Sequence, residues 1–273
     1  MTQANVYCET GLNYYSGDIP TPVGVSICNG REALSELDYE RCGFTLLSHQ
    51  SEVRDWRDEA ELRRVHEPEI AKLARDFSGC DQVVVYPPLV RSPVTAASHD
   101  DYAPIEAVHS DFTEDYRLMV QQRDRPYREF LDPLLAASGL SRDDVENASR
   151  LLMLQFWRNI GDAFPDRPFA LCDASTVPRT ELASYLVPEY GGQKLAFETF
   201  MGLAPKDPQN QRWYTFPGLQ IDEVIAFRTY DSRCEQEGRA FWTPHSAFVD
   251  PNVAADAPQR ESLEMRVLCL FSN

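Results

Sequence analysis

No basic excess, no membrane-length apolar run and no paired cysteine motif occur in this chain, and each absence removes a class of function. The 26 basic residues are outnumbered by 43 acidic ones, for a formal charge of −17. That balance argues against a sequence-independent hold on nucleic-acid backbones or on anionic membrane surfaces. The charge is spread along the chain, so solubility is its plain explanation. No apolar stretch approaches the length needed to cross a bilayer, and Met1 to Glu9 has no basic segment leading into an apolar one. A soluble cytoplasmic protein is therefore expected. Seven scattered cysteines without any C-x-x-C spacing read as free thiols in a reducing compartment. Also missing are the nucleophile elbow G-x-S-x-G, the Walker phosphate loop, G-x-G-x-x-G and H-E-x-x-H. Carboxylates are too plentiful for any pair to stand out as acid and base.

What is present centres on two histidines and one aspartate. His109 and Asp111 lie in Ala107-Val108-His109-Ser110-Asp111-Phe112-Thr113, and His245 lies far downstream in Thr243-Pro244-His245-Ser246-Ala247-Phe248. On a strand, residues two apart share a side, so His109 and Asp111 look the same way with Ser110 turned out. Two imidazoles and one carboxylate on one face suit Fe(II), which keeps its other positions open for a co-substrate and O₂. His99-Asp100-Asp101 fits the same spacing, but its polar, proline-flanked surroundings read as a loop. For His109 the alternative is a hydrogen-bonded structural histidine.

Further on, Arg260-Glu261-Ser262 follows His245. An arginine fork matches a carboxylate in two places and a serine hydroxyl adds another bond, as a 2-oxoglutarate site requires. From Arg260 to Phe271 the residues alternate. Arg260, Ser262, Glu264 and Arg266 share one face, and Leu263, Met265, Val267, Cys269 and Phe271 the other. A half-exposed edge strand with a charged face is the competing explanation.

At 273 residues one domain is expected. Short strands are predicted at 22–28, 43–47 and 82–86, with buried ones at 151–157 and 224–230. Apolar spacing predicts a helix over about 55–77, split or kinked at Pro68. Further helices are predicted within 113–128, 132–137 and 143–150. The proline-broken stretch 162–212 reads as loops with short strands over a barrel mouth, where selectivity commonly resides.

Taken in order, these residues resemble the non-haem iron, 2-oxoglutarate-dependent oxygenases grouped around the cephamycin C-7 hydroxylase component, the fungal gibberellin desaturase and the novofumigatonin endoperoxide-forming enzyme. The likeness runs through His109-Ser110-Asp111-Phe112-Thr113, Trp157-Arg158, Leu171-Cys172-Asp173-Ala174 and Trp213-Tyr214-Thr215-Phe216-Pro217. It continues through Asp222-Glu223-Val224, Tyr230-Asp231, Pro244 to Phe248 and Arg260 to Arg266. The resemblance implies a mainly β (α+β) fold, a double-stranded β-helix of jelly-roll or cupin-like form with flanking helices. A single domain over 1–273 would carry an N-terminal α/β elaboration at about 1–100. It further implies that His109, Asp111 and His245 hold iron and that Arg260 and Ser262 bind 2-oxoglutarate, with Arg266 a second candidate for its carboxylate. Fe(II), 2-oxoglutarate and O₂ are the cofactors implied. Trp157 and Arg158 look like substrate-binding residues, their alternative being a buried tryptophan beside a surface arginine. Here Asn159-Ile160-Gly161-Asp162 follows that pair, where the family usually has proline and leucine. The implied partner is a small specialised metabolite, amino-acid-derived or of similar size, altered by hydroxylation, desaturation or ring formation; nucleic acid and membrane are not expected, and a homodimer is allowed for. Two other classes stay open, a cupin-like metal dioxygenase or isomerase that does not use 2-oxoglutarate, and a binding protein on the same barrel.

Overall fold

The computed structural model describes residues 5–17 and 19–272. Among them, fourteen strands run in chain order: β1 (Val6–Ser16), β2 (Ile19–Asn29), β3 (Phe44–Ser48), β4 (Gln82–Val85), β5 (Leu89–Arg91), β6 (His109–Ser110) and β7 (Arg150–Asn159). They continue with β8 (Phe169–Cys172), β9 (Leu182–Val187), β10 (Phe197–Gly202), β11 (Trp213–Thr215), β12 (Glu223–Asp231), β13 (His245–Ala247) and β14 (Ser262–Phe271). One sheet has the order β1-β2-β11-β8-β13-β6-β10-β9, and the second β3-β12-β7-β14-β4 with β5 also paired to β14. All neighbours are antiparallel except β11 with β2.

Period-two alternation builds the inner and outer faces of the smaller sheet. Leu152, Leu154 and Phe156 of β7 join Leu263, Met265 and Val267 of β14 on the outer face, buried with Ile70 and Ala74 of the helix Glu67–Ser78. The intervening residues of β7 point to the other sheet, where Trp157 stacks on Phe169 of β8 with ring centroids 4.9 Å apart. The helices Asp115–Gln121 and Tyr127–Ala137 cover one end, burying Met119 and Leu131 with Val84 and Leu268.

Pro68 falls in a helical run that is split just before it: a short helix at Glu59–Glu61 passes through a wider π turn at Leu62–His66 into Glu67–Ser78, with the backbone helical throughout. The wider turn is where the run adjusts ahead of a residue that has no N–H to give. Pro126 directly precedes the helix Tyr127–Ala137. Residues before 100 supply β1 and β2 to one sheet and β3, β4 and β5 to the other. Through Asn13, β1 also reaches the short β6 segment, its carbonyl accepting the Val108 N–H at 2.8 Å.

Candidate metal centre and cavity

β6 and β13 are neighbours, and their register sets His109 directly across from His245. Their imidazole centroids are 4.2 Å apart. Asp111, one residue past β6, turns the same way: its Oδ1 lies 3.7 Å from His109 Nε2 and 3.4 Å from His245 Nε2. One ligand atom from each of the three lies within 4.8 Å of the others. Ser110 faces away, its Oγ accepting the Thr243 N–H at 3.2 Å.

Each histidine is oriented through its other nitrogen. His109 Nδ1 bonds the Ala107 carbonyl at 2.8 Å and His245 Nδ1 the Thr243 carbonyl at 2.9 Å. With Nδ1 as donor, Nε2 is left with a free lone pair, the tautomer a metal requires. Burial, aided by His245, pushes His109 down to about 4, so it is neutral at physiological pH. Burial alone would raise Asp111, but Arg266 and then both histidines overcome it and hold the carboxyl well below its usual range. Two imidazole nitrogens beside an ionised carboxylate form the donor set of a facial triad.

Arg260 and Arg266 share a face of the chain yet differ in partners. Arg266 grips Asp111 Oδ2 through Nε at 3.0 Å and Nη2 at 2.9 Å, and touches Glu264 at 3.1 Å. Arg260 is buried without a carboxylate in ion-pair contact among the described residues. Its Nη1 reaches only the Arg167 carbonyl, at 3.3 Å, and its Nε has no partner. Burial, then repulsion from Arg91, brings its guanidinium down to about 10. The Ser262 hydroxyl and the Trp157 indole N–H are likewise buried without partners, and the Arg260 guanidinium lies 5.6 Å from the Trp157 ring centre. An uncompensated cation costs several kcal/mol in such a setting, so this group of donors fits a carboxylate ligand.

A cavity of about 650 Å³ opens beside the triad, lined by His109, Asp111 and Arg266 together with Tyr86, Phe112, Tyr127, Phe130 and Phe197. Arg91 fastens two segments beside it, donating to the Asp101 and Ala103 carbonyls at 2.6 and 2.8 Å and to the Tyr190 hydroxyl at 2.8 Å. Among the residues expected at the site, His109, Asp111, His245 and Arg266 come together. Arg260 lies beside Trp157 and Ser262 is buried on β14 across from Asn159; none of the three lines the cavity. His99 stays apart, accepting the Asp101 N–H in an exposed turn.

Arg158 lies apart from the triad and outside the cavity lining. Adjacent strand residues point to opposite faces, so with Trp157 inside, Arg158 faces the outer layer. There it donates to His49 Nδ1 at 2.6 Å and to the Ile221 carbonyl, beneath the Trp56 ring. The same layer holds His66, which burial pushes down to about 4 despite its bond to Glu69. As pH falls from about 6.5 to 4, the unfolded chain takes up a proton there that the folded chain refuses. Stability should therefore fall by about 2–4 kcal/mol across that window from this group. Urea titrations of wild type and His66→Gln check it; an equal pH slope in both would refute this assignment.

Gln155 and Arg91 were not foreseen as site residues. Gln155 donates to Asp111 Oδ2. Its signal was available, since it is the one polar residue in the run Leu151 to Trp157, and period two places it beside Trp157. Arg91 had no comparable signal, because its role depends on pairing with Glu264 at 2.6 Å, a contact across 173 positions.

A domain family described as oxidoreductase/YMDC permease-like domain matches residues 9–270. The alpha-ketoglutarate-dependent dioxygenase phiK of a fungal species is 25% identical, over 96% of this chain and 96% of its own length. The hydroxylase/desaturase CTB9 of Cercospora beticola is 26% identical, over 84% of this chain and 71% of its own. A solved structure of the iron and alpha-ketoglutarate-dependent endoperoxidase NvfI superposes with a TM-score of 0.73 at 20% identity, covering 98% of this chain and 99% of that one. The fold is thus the strand-rich double-stranded β-helix of the jelly-roll type, with flanking helices.

Proposed function

We infer, for a chain that belongs to the oxidoreductase/YMDC permease-like domain family, an Fe(II)/2-oxoglutarate-dependent dioxygenase that acts on a C–H bond of a small specialised metabolite. The observation that carries this reading is the convergence of His109 Nε2, His245 Nε2 and Asp111 Oδ1 beside a cavity. Relatives named as dioxygenase and hydroxylase/desaturase support it. His109, Asp111 and His245 would hold the iron. Arg260, with Ser262 and the Trp157 N–H, would hold a carboxylate of 2-oxoglutarate, because each has a buried polar atom left without a partner and Arg260 has no carboxylate in ion-pair contact. Arg266 is the weaker choice for that role, its charge being already matched by Asp111 and Glu264. Together with O₂, the bound iron and co-substrate supply an oxidant strong enough to take hydrogen from carbon, with release of succinate and CO₂.

The chain's own residues bind, orient and keep water out. Aromatic side chains shape the cavity, at a volume within the range of small-molecule sites, and hold the target carbon near the metal. Arg91 and Arg266 in its lining are paired with Glu264 and Asp111, so the walls suit an uncharged skeleton better than an amino-acid zwitterion. We read the chain as one domain, since its first hundred residues enter both sheets, and as cytoplasmic, given its free thiols. Among the described residues no helix is long and apolar enough to cross a membrane.

The test is stoichiometry. Supplied with Fe(II), 2-oxoglutarate and O₂, the protein should form succinate and CO₂ in step with O₂ uptake, faster when a substrate fills the cavity. Metal-dependent turnover without succinate would favour the cupin-like alternative.

A further inference from the structure

Asp111 has two carboxylate oxygens, and they face different company. Oδ1 looks toward the two histidine Nε2 atoms. Oδ2 is taken by three N–H groups, from Gln155 Nε2, Arg266 Nε and Arg266 Nη2. Gln155 is buried within β7, and Arg266 is itself held by Glu264, whose other oxygen pairs with the buried Arg91. The grip on Oδ2 therefore comes from groups that are fixed by the sheet and cannot easily swing away.

We propose that Gln155 and Arg266 are positioning residues that make Asp111 a one-oxygen ligand. By occupying Oδ2 they present Oδ1 alone to the ion. The inference rests on the reading of the triad as a metal centre. Its functional meaning lies in the coordination count: two imidazoles and one oxygen fill three positions of a six-coordinate ion, leaving three for a two-point co-substrate and O₂. A two-oxygen grip by the same carboxylate would fill a fourth and leave too few. Partners of this kind commonly tune affinity by 10–100-fold. Arg266 works here as a fork, with two nitrogens on one oxygen, a geometry that lysine cannot copy.

The probes are Co(II) for affinity and Zn(II) for the carboxylate's binding mode, because a second Asp111 oxygen would replace a water on a six-coordinate ion and leave its coordination number as it was. Gln155→Leu and Arg266→Lys should each bind Co(II) about 10–100-fold more weakly than wild type in chelator competition, and in aspartate-¹³C-labelled, Zn(II)-loaded form should show a narrower separation of carboxylate stretches than wild type. Folded variants that bind Co(II) like wild type and keep its carboxylate separation would overturn the proposal, since a purely structural role lowers melting temperature without changing the carboxylate bands of the folded fraction. A measurement on the unaltered protein decides the matter even if a variant fails to fold. In aspartate-¹³C-labelled wild type, Zn(II) loading should produce the wide separation of carboxylate stretches that marks one-oxygen binding. The narrow separation of two-oxygen binding overturns it. Wild type that bound neither ion would remove the metal centre and this role with it. Failure of the 2-oxoglutarate reading is distinguishable, because it appears as missing succinate and leaves Co(II) affinity and the carboxylate bands intact.

Discussion

His245→Ala should bind Fe(II) more than about a hundredfold more weakly than wild type and form no succinate, since losing a ligand exceeds the 10–100-fold typical of losing a ligand's supporting partner. The fold should survive, because His245 lies among Phe169 and Phe227 and alanine removes bulk without stranding a charge. His109→Ala should behave alike. His99→Ala should be indistinguishable from wild type, its ring lying in an exposed turn. Chelator competition gives the affinity and circular dichroism the fold. Activity lost with His99 but kept without His109 would reassign the first ligand pair.

The second large effect concerns Arg260 and runs in two opposite directions. Arg260→Leu should raise the 2-oxoglutarate concentration for half-maximal turnover by roughly 30- to 1,000-fold, the equivalent of about 2–4 kcal/mol for a buried charge-assisted contact. Without ligand, the same variant should be more stable than wild type, by about 1–3 kcal/mol, because hydrocarbon replaces a buried cation that lacks a carboxylate partner. Melting curves with and without 2-oxoglutarate show both effects. If Arg260→Leu melts lower and still responds to 2-oxoglutarate, the carboxylate belongs elsewhere, with Arg266 next in line.

Much of this site was legible before any coordinates. Strand periodicity alone relates His109 to Asp111, and local composition separates that pair from His99. The long strands β7 and β12 announce themselves as apolar runs and β14 as an alternation of polar and apolar residues. Arg260 and Arg266 could not be told apart, because six residues along a strand return to the same face and only partners distinguish them. Trp157 and Arg158 read as a pair in sequence, yet neighbours on a strand face opposite ways, so no more than one looks inward. The strands β9 and β10 lie in a proline-broken stretch whose pairing is decided by the partner strand rather than by local propensity. β13 is three residues long, too short to show a period.

The last strand has a consequence for biosynthesis. β14 lies in the interior of its sheet, between β7 and the β4–β5 edge, and it brings Ser262 and Arg266, with Arg260 just before it. During translation the earlier strands emerge first, and a nascent chain holds both histidines before residue 266 leaves the ribosome. An ion met at that stage would find ligands with no arginine to set their carboxylate. Competence for iron thus waits on β14, which sets the carboxylate only once it has slid between β7 and the β4–β5 edge.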